Sequence, residues 1–256
     1  MNKIEDDYVF KTKQGDYCKV LKIVTSKEIY VMVSCTDDFE ISCCMCINMD
    51  NIKRRSLKNP LRKTVLDKGY FGVGKYPRMI DGKQSPTYKR WLGLFTRCYG
   101  LENNHNTTYK DCEVCNEWWN FQFYAQWEEE NYYEVPGQTM HIEKDFIVKG
   151  NKIYSPQYCV FCPININSII TDNGTRRGKY TIGVGYKEDS GHYYARVQDG
   201  HGNSHWLGTF LTEQEAFKTY KYYKEFYIKQ LADEYKHIIP KVLYDAMMNY
   251  IVEEND

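Results

Sequence analysis

The C-terminal part of the chain has the most constrained pattern, because three short strand-like segments lead directly into one long helical segment. Residues 180–188, 191–199 and 204–210 are rich in aromatic and β-branched residues, with turn sequences between them. Thr212 and Glu215 then have the spacing of a helix capping box. We therefore expect a three-stranded sheet packed on one helix. The expected apolar face of that helix consists of Ala216, Tyr220, Tyr227 and Leu231.

An ordered series of residues in this unit carries a family resemblance. The series is Gly183-Val184, Tyr193, Ala195, Val197, Trp206-Leu207-Gly208-Thr209-Phe210, Thr212, Glu215, Ala216 and Tyr220. With this series, residues 180 to about 228 resemble the AP2/ERF-type DNA-binding domain, which lays its sheet in the DNA major groove. The resemblance implies double-stranded DNA as partner, contacted at or near Lys187, Tyr193, Arg196 and Trp206. The alternative is a sheet that only packs on its own helix.

Residues 141–168, HIEKDFIVKGNKIYSPQYCVFCPININS, have the outline of a β-hairpin followed by a helix. We expect a first strand MHIEKDF, a turn at KGNK, a returning strand YSPQYCVF and a helix that begins near Pro163. Alternate residues of a strand point to the same face. His141, Glu143 and Asp145 should therefore share one face of the first strand.

The pair Glu143-Lys144, the sequence GNKIYSP and the later Asn167 resemble phage and homing-type HNH endonucleases, which have a ββα-metal fold. The resemblance implies that Glu143 is an acidic metal ligand and Asn167 a ligand from the helix. It also implies one divalent cation, Mg²⁺ or Mn²⁺, at the scissile phosphate. Lys144 stands in the place of the catalytic histidine, and Tyr158 stands where many members have Asn.

The lysine changes the expected chemistry, because a solvated lysine is protonated at neutral pH and cannot act as a base. His141 is the candidate to take over the base role, and Lys144 is the alternative. Glu143 and Asp145 together would suit a hard cation such as Mg²⁺. The alternative for these carboxylates is pairing with nearby lysines.

Four of the ten cysteines form two CxxC pairs, at Cys112 and Cys115 and at Cys159 and Cys162. Two such pairs could hold a structural Zn²⁺. The alternative is reduced thiols in an apolar core, which the VFCPI sequence around Cys162 favours. The group at Cys43, Cys44 and Cys46 is also expected to be buried.

Charge is unevenly distributed although the formal net charge is zero. Residues 52–97 contain 13 Lys and Arg residues against Asp67 and Asp81. Such a basic segment can attract a polyanion over a Debye length of about 8–10 Å. The alternative is an ordinary solvated surface.

The chain as a whole indicates an α+β protein with five segments. Residues 1–60 should form a small β module with strands near 17–24, 28–35 and 41–49. Residues 61–84 should be a basic connector. Residues 85–172 should form the nuclease-like domain, in which a helix capped by Ser85 begins at Pro86. Residues 176–235 should form the AP2-like domain, and residues 236–256 a helical tail.

The resemblances together imply a DNA-binding HNH-type endonuclease of phage or mobile-element type. The first alternative is a catalytically degenerate DNA-binding regulator that keeps both folds, and the second is a protein-interaction module. No segment approaches 18 apolar residues, so we expect no membrane partner. The N-terminal sequence lacks the apolar stretch of a secretory signal, so we expect a cytoplasmic location.

Overall fold

The computed structural model describes residues 4–100, 109–170 and 179–254. The chain divides into two compact units, Met1–Glu130 and Asn131–Asp256. With 31% helix and 27% strand, the protein is α+β, as the sequence predicts. The unit boundary falls inside the segment 85–172 that the sequence analysis assigned to one domain. None of the helices in the described ranges is both long and apolar enough to cross a membrane.

The N-terminal unit begins with an antiparallel sheet in the order β1-β2-β3-β4. Its strands are β1 (Val9–Lys11), β2 (Tyr17–Thr25), β3 (Glu28–Ser34) and β4 (Ser42–Ile47), followed by helix α1 (Met49–Arg54). The three predicted strands are confirmed, and β1 is additional. The expected burial of three cysteines is wrong, because β4 is an edge strand: Cys43 is half-buried, and Cys44 and Cys46 are exposed. The core of this sheet contains Phe10, Cys18, Val20, Ile29, Val31 and Val33.

The basic connector is folded as part of the N-terminal unit. Its last residues form a two-stranded hairpin of β5 (Met79–Ile80) and β6 (Lys83–Gln84), with left-handed backbone at the turn residues Asp81 and Gly82. Helix α2 (Pro86–Tyr99) follows, and the Ser85 hydroxyl accepts a hydrogen bond from the Tyr88 N–H, which confirms the predicted cap.

The rest of this unit packs around aromatic side chains. It contains β7 (Glu113–Val114), a 3-10 helix (Asn116–Trp119) and α3 (Phe121–Asn131). The indole N–H of Trp91 donates to the Trp118 carbonyl oxygen at 2.7 Å. This bond fixes α2 to the segment before α3. The fully buried aromatic residues here are Trp91, Phe95, Trp118, Phe121 and Tyr124.

The C-terminal unit contains the predicted hairpin, sheet and long helix. The first part consists of β8 (Met140–Glu143), β9 (Ile153–Tyr154), β10 (Val160–Pro163) and α4 (Ile164–Ile170), with β8 and β10 antiparallel. The second part is an antiparallel sheet in the order β11-β12-β13, made of β11 (Val184–Lys187), β12 (His192–Gln198) and β13 (Ser204–Phe210). Helices α5 (Glu213–Tyr235) and α6 (Lys241–Met248) complete the unit.

Helix α5 joins the two parts, because it contributes to two hydrophobic clusters. Ala216 and Tyr220, near its N-terminus, pack with Ala195 and Val197 of the sheet. Further along, α5 packs with Cys162 of β10 and with α4. The residues that α5 contributes to this second cluster are Ile228, Leu231, Ala232 and Tyr235. The hairpin and the sheet are therefore held by one continuous helix.

Candidate functional site

The outer face of the C-terminal sheet, the side away from α5, presents several exposed polar and aromatic residues. In β12, Ala195 and Val197 are fully buried against α5, so the alternating residues Tyr194 and Arg196 point outward. Arg196 is paired in register with Trp206 of β13. The strands β11, β12 and β13 contain no Asp or Glu. The outer face is therefore basic and aromatic.

Two aromatic rings on this face form an exposed platform. Tyr194 and Trp206 are stacked, with ring centroids 5.0 Å apart and planes inclined by 20°. Trp206 keeps 46% of its surface exposed. The Lys187 ammonium nitrogen lies 4.7 Å from the Trp206 ring centroid, a cation–π contact. The charge of Lys187 thus lies beside the stack.

The position of the Tyr194 ring depends on a glycine in the neighbouring strand. A Cβ atom at Gly185 would lie 2.2 Å from the Tyr194 ring, closer than real Cβ contacts permit. The absence of a side chain at Gly185 therefore lets the Tyr194 ring lie close over β11.

The structure brings three of the four predicted DNA-contacting residues, Lys187, Arg196 and Trp206, onto the outer face. Tyr193 does not lie there. It packs against the core cluster under the sheet and contacts Tyr186, with ring centroids 5.0 Å apart. Tyr194, which is not among the predicted contacts, takes the outward place. The alternation with the small apolar residues Ala195 and Val197 is the signal that identifies the outward residue.

The hairpin of β8 and β10 positions the predicted catalytic residues. His141 is opposite Cys162 and Glu143 is opposite Val160 in the register of the two strands. Ile142, between them, is buried, while His141 and Glu143 are half-buried. The prediction that His141 and Glu143 share one face of the strand is confirmed.

Asp145 lies just beyond the end of β8, which spans Met140–Glu143. The Asp145 carboxylate pairs with the Lys144 ammonium group, at 3.1 Å. Lys144 is only 5% exposed, and its nitrogen lies 5.8 Å from the Tyr154 ring centroid. Lys144 is therefore a buried, ion-paired residue and not a solvated one. For Asp145, this arrangement matches the alternative in which the carboxylate pairs with a local lysine.

Asn151 fixes the backbone beside Lys144, and the sequence analysis did not assign it a role. Its side-chain amide donates to the Lys144 carbonyl oxygen at 2.7 Å and to the Ile153 carbonyl oxygen at 2.8 Å. The preceding Gly150 has a φ of 77°, which favours glycine. The GN dipeptide in the turn is thus the sequence signal for this positioning residue.

Helix α4 carries the remaining predicted ligand, Asn167. Ile166 and Ile169 of this helix are fully buried, and Asn167 is half-buried. Helix α4 packs against β8 and β10. Tyr158, which replaces the expected Asn, lies in the loop before β10, where its N–H donates to the Ser155 carbonyl oxygen.

The four cysteines predicted as possible zinc ligands are mostly buried. Cys112, Cys159 and Cys162 are buried, and Cys115 is half-buried. Burial, with the nearby carboxylates of Glu143 and Asp145, raises the pKa of the Cys162 thiol well above its usual range. Burial also raises the pKa of Cys115. A zinc ligand must be a thiolate, so these environments favour the protonated thiol of a core residue.

The described residues contain no group of three or more His, Cys, Asp or Glu side chains arranged to hold a metal ion. The expected Mg²⁺ or Mn²⁺ site would combine Glu143, Asp145 and Asn167. The Asp145 carboxylate is already bound by Lys144. One of the three expected ligands is thus paired with an ammonium group, whereas a divalent cation favours several oxygen ligands around one point.

Comparisons with protein-family models, with curated proteins and with solved structures find no match for this chain.

Proposed function

We propose that this chain is a DNA-binding protein that docks on duplex DNA through the outer face of its C-terminal sheet. The observation that carries the proposal is the Tyr194–Trp206 stack, flanked by Lys187 and Arg196 on strands that contain no Asp or Glu. Lys and Arg contact phosphates or guanine edges, and the major groove admits a small β-sheet. The sheet is fixed from behind by α5, so these side chains are presented on a rigid element.

A duplex-binding measurement across a salt series tests this proposal. Fluorescence anisotropy with a labelled duplex should show binding that weakens steeply as salt rises, because contacts to phosphates release counterions. Two cationic contacts alone would give a slope of log K against log salt of about −2. Absence of duplex binding, or binding that does not change with salt, would contradict the proposal.

HNH-type hydrolysis of DNA is the second candidate function, favoured by the shared half-exposed face of His141 and Glu143. On this face an imidazole can accept a proton from an attacking water, and general-base assistance is worth roughly 10²- to 10⁴-fold in rate. The Lys144 ammonium group is covered and paired with Asp145, which favours His141 over Lys144 as the base.

The competing candidate is a DNA-binding regulatory protein that keeps the hairpin without cutting. The Lys144–Asp145 pair favours this candidate, because it occupies a carboxylate that the nuclease resemblance assigns to metal binding.

A plasmid-nicking assay with Mg²⁺ or Mn²⁺, compared with EDTA, separates the two candidates. Hydrolysis predicts nicking that is lost in Glu143→Ala and reduced at least 100-fold in His141→Ala. Duplex binding should persist in both variants. Wild-type protein that binds DNA and nicks it with neither ion would assign the regulatory function.

A further inference from the structure

The N-terminal unit contains a large cleft that the C-terminal sheet does not account for. Its volume is about 1220 Å³. Strand β4 forms one side through Cys44, Met45 and Cys46, and α2 contributes Tyr88, Leu92 and Thr96. Residues 58–78, which include most of the basic connector, supply most of the remaining lining. The volume exceeds the roughly 300–1,000 Å³ of ordinary small-molecule sites, so a segment of a polymer fits it better.

The charge of the cleft has one sign. Among the described residues that line it, Lys58, Arg62 and Arg78 are cationic, and none is a carboxylate. The buried Asp16 forms an ion pair with Arg62, with 2.8 Å between Asp16 Oδ1 and Arg62 Nη2. Lys58 and Arg78 are exposed, and within the described ranges neither is paired with an acid. A cleft of this charge favours an anionic occupant.

One wall of the cleft is anchored to the N-terminal sheet. Asp16 is fully buried and accepts hydrogen bonds from Arg62 and from the Asn59 side-chain amide. The Asn59 side-chain oxygen in turn accepts from the Leu61 N–H. These bonds fix the start of the connector, so Lys58 is attached to an ordered segment.

The opposite wall is the Phe71-Gly72-Val73-Gly74 loop, which a buried amide holds in place. The Gln122 side chain accepts from the Tyr76 N–H at 3.0 Å and donates to the Tyr76 carbonyl oxygen at 3.1 Å. A Cβ at Gly72 would lie 1.9 Å from Asn120 Oδ1, and one at Gly74 would lie 2.3 Å from Gln122 Oε1. Both glycines are needed for this close approach, and the wall is preformed.

The cleft also offers flat and apolar surface beside its charges. The Arg78 guanidinium lies over the Tyr88 ring, 5.0 Å from its centroid. Val73, at the tip of the glycine loop, is 57% exposed. The Tyr88 ring is itself buried, so the planar guanidinium of the exposed Arg78 is the surface on which a base can stack. Cations beside such a stacking surface are features of single-strand binding grooves.

We propose that this cleft binds a short single-stranded segment of DNA, with Lys58 and Arg78 contacting its phosphates. The choice of DNA over other nucleic acids rests on the proposed function. The cleft is concave, whereas a duplex needs the open outer face of the C-terminal sheet. The two surfaces thus recognise different forms of DNA.

The test uses the full chain, a labelled 12-nucleotide single strand and a labelled duplex. Lys58→Glu/Arg78→Glu should weaken single-strand binding at least tenfold and make its salt slope shallower by about 1.4, the loss of two phosphate contacts. Lys22→Glu/Lys27→Glu is the matched control: it changes the same charge at exposed residues outside the cleft, and it should leave both quantities near wild type. Lys58→Gln/Arg78→Gln gives a milder version if the first variant does not fold.

The two surfaces are separated by a crossed comparison. Arg196→Ala/Trp206→Ala should weaken duplex binding and keep single-strand binding within twofold of wild type. If duplex binding is absent but single-strand binding still depends on Lys58 and Arg78, the proposed duplex-binding function is wrong. The proposal that the cleft binds a single strand is then supported independently. If the wild type and both cleft variants bind the single strand equally well, the proposal that the cleft binds single-stranded DNA is wrong.

Three further arms identify the occupant. A bromouracil-substituted strand should crosslink within residues 58–78, and crosslinks only elsewhere would overturn the assignment. Mononucleotides at 1 mM, about the Kd of a weak ligand, should not displace the strand, and displacement would assign a nucleotide site. Tighter binding of the matching RNA strand would overturn the choice of DNA.

Discussion

Trp206 stacks on Tyr194 across two strands of the C-terminal sheet, with ring centroids 5.0 Å apart, and both rings lie on the face opposite α5. Stacking two large rings on an outer face, where Trp206 stays 46% exposed, contributes nothing to the core beneath the sheet. Exposed apolar surface often marks interaction sites, and Trp and Tyr are enriched among the residues that contribute most to binding. The Tyr194–Trp206 pair is therefore the first pair of residues to test by substitution.

Trp206→Ala should reduce duplex affinity about tenfold while changing the thermal midpoint of unfolding little, because the indole lies outside the buried clusters. Tyr222→Ala is a suitable control, since Tyr222 is an exposed aromatic residue on α5, with 66% exposure. Anisotropy titration and thermal unfolding measure the two effects. A Trp206→Ala protein that binds DNA like the wild type would remove the platform from the interface.

Gly185→Ala should disturb the platform from the neighbouring strand. Its Cβ would meet the Tyr194 ring at 2.2 Å, so the ring must leave its stack with Trp206. We expect destabilisation of about 1–3 kcal/mol together with weaker duplex binding. Gly93→Ala is the matched control, because nothing lies within 4 Å of its new Cβ and the residue is helical; it should stabilise by about 0.5–1 kcal/mol. An unaffected Gly185→Ala protein would contradict the packing described.

Asp145→Asn should destabilise the protein more than Lys144→Met does. Asp145→Asn leaves a buried ammonium group without its carboxylate, whereas Lys144→Met removes the charge and keeps most of the volume. We expect about 1–3 kcal/mol for Asp145→Asn, and a smaller loss for Lys144→Met. Urea unfolding measures both. The reverse order would show that Lys144 has a role other than pairing.

Lowering the pH should destabilise the fold by protonating Asp199, which lies in the turn between β12 and β13. Burial alone would raise the pKa of Asp199, but hydrogen bonds from His205, Asn203 and the His201 N–H hold it well below its usual range. A lowered pKa in the folded state gives stability that is present above the unfolded pKa of about 3.9 and is lost as pH falls below it.

The thermal midpoints of unfolding of the wild type and of Asp199→Asn, measured at pH 7 and pH 3, test this prediction. Asp199→Asn should be destabilised at pH 7, where the wild-type carboxylate accepts from the His205 ring at 2.9 Å. The difference between the variant and the wild type should shrink at pH 3. A constant difference at the two pH values would show that the Asp199 charge does not carry the effect.

The sequence predicts the C-terminal strands and helix well, because their signals are local. The alternation around Ala195 and Val197 and the Thr212–Glu215 capping box are each complete within a few residues, and the structure contains both. The Ser85 cap of α2 is equally local.

Features that depend on distant partners are not predictable in this way. The burial of Lys144, which makes its pairing with Asp145 matter, depends on the surrounding fold and not on the sequence around HIEKDF. The exposure of Cys44 and Cys46 follows from the edge position of β4, which is a property of the sheet order. The cleft forms because Gln122 and Asp16 hold the connector from distant segments.

The most direct test of the central claim is the salt dependence of duplex binding by Arg196→Ala. Removing one phosphate-contacting cation should make the slope of log K against log salt shallower by about 0.9. Lys229→Ala, which removes an exposed lysine of α5, should keep the wild-type slope. A slope for Arg196→Ala equal to that of the wild type and of Lys229→Ala would contradict the assignment of the outer face as the DNA-binding surface.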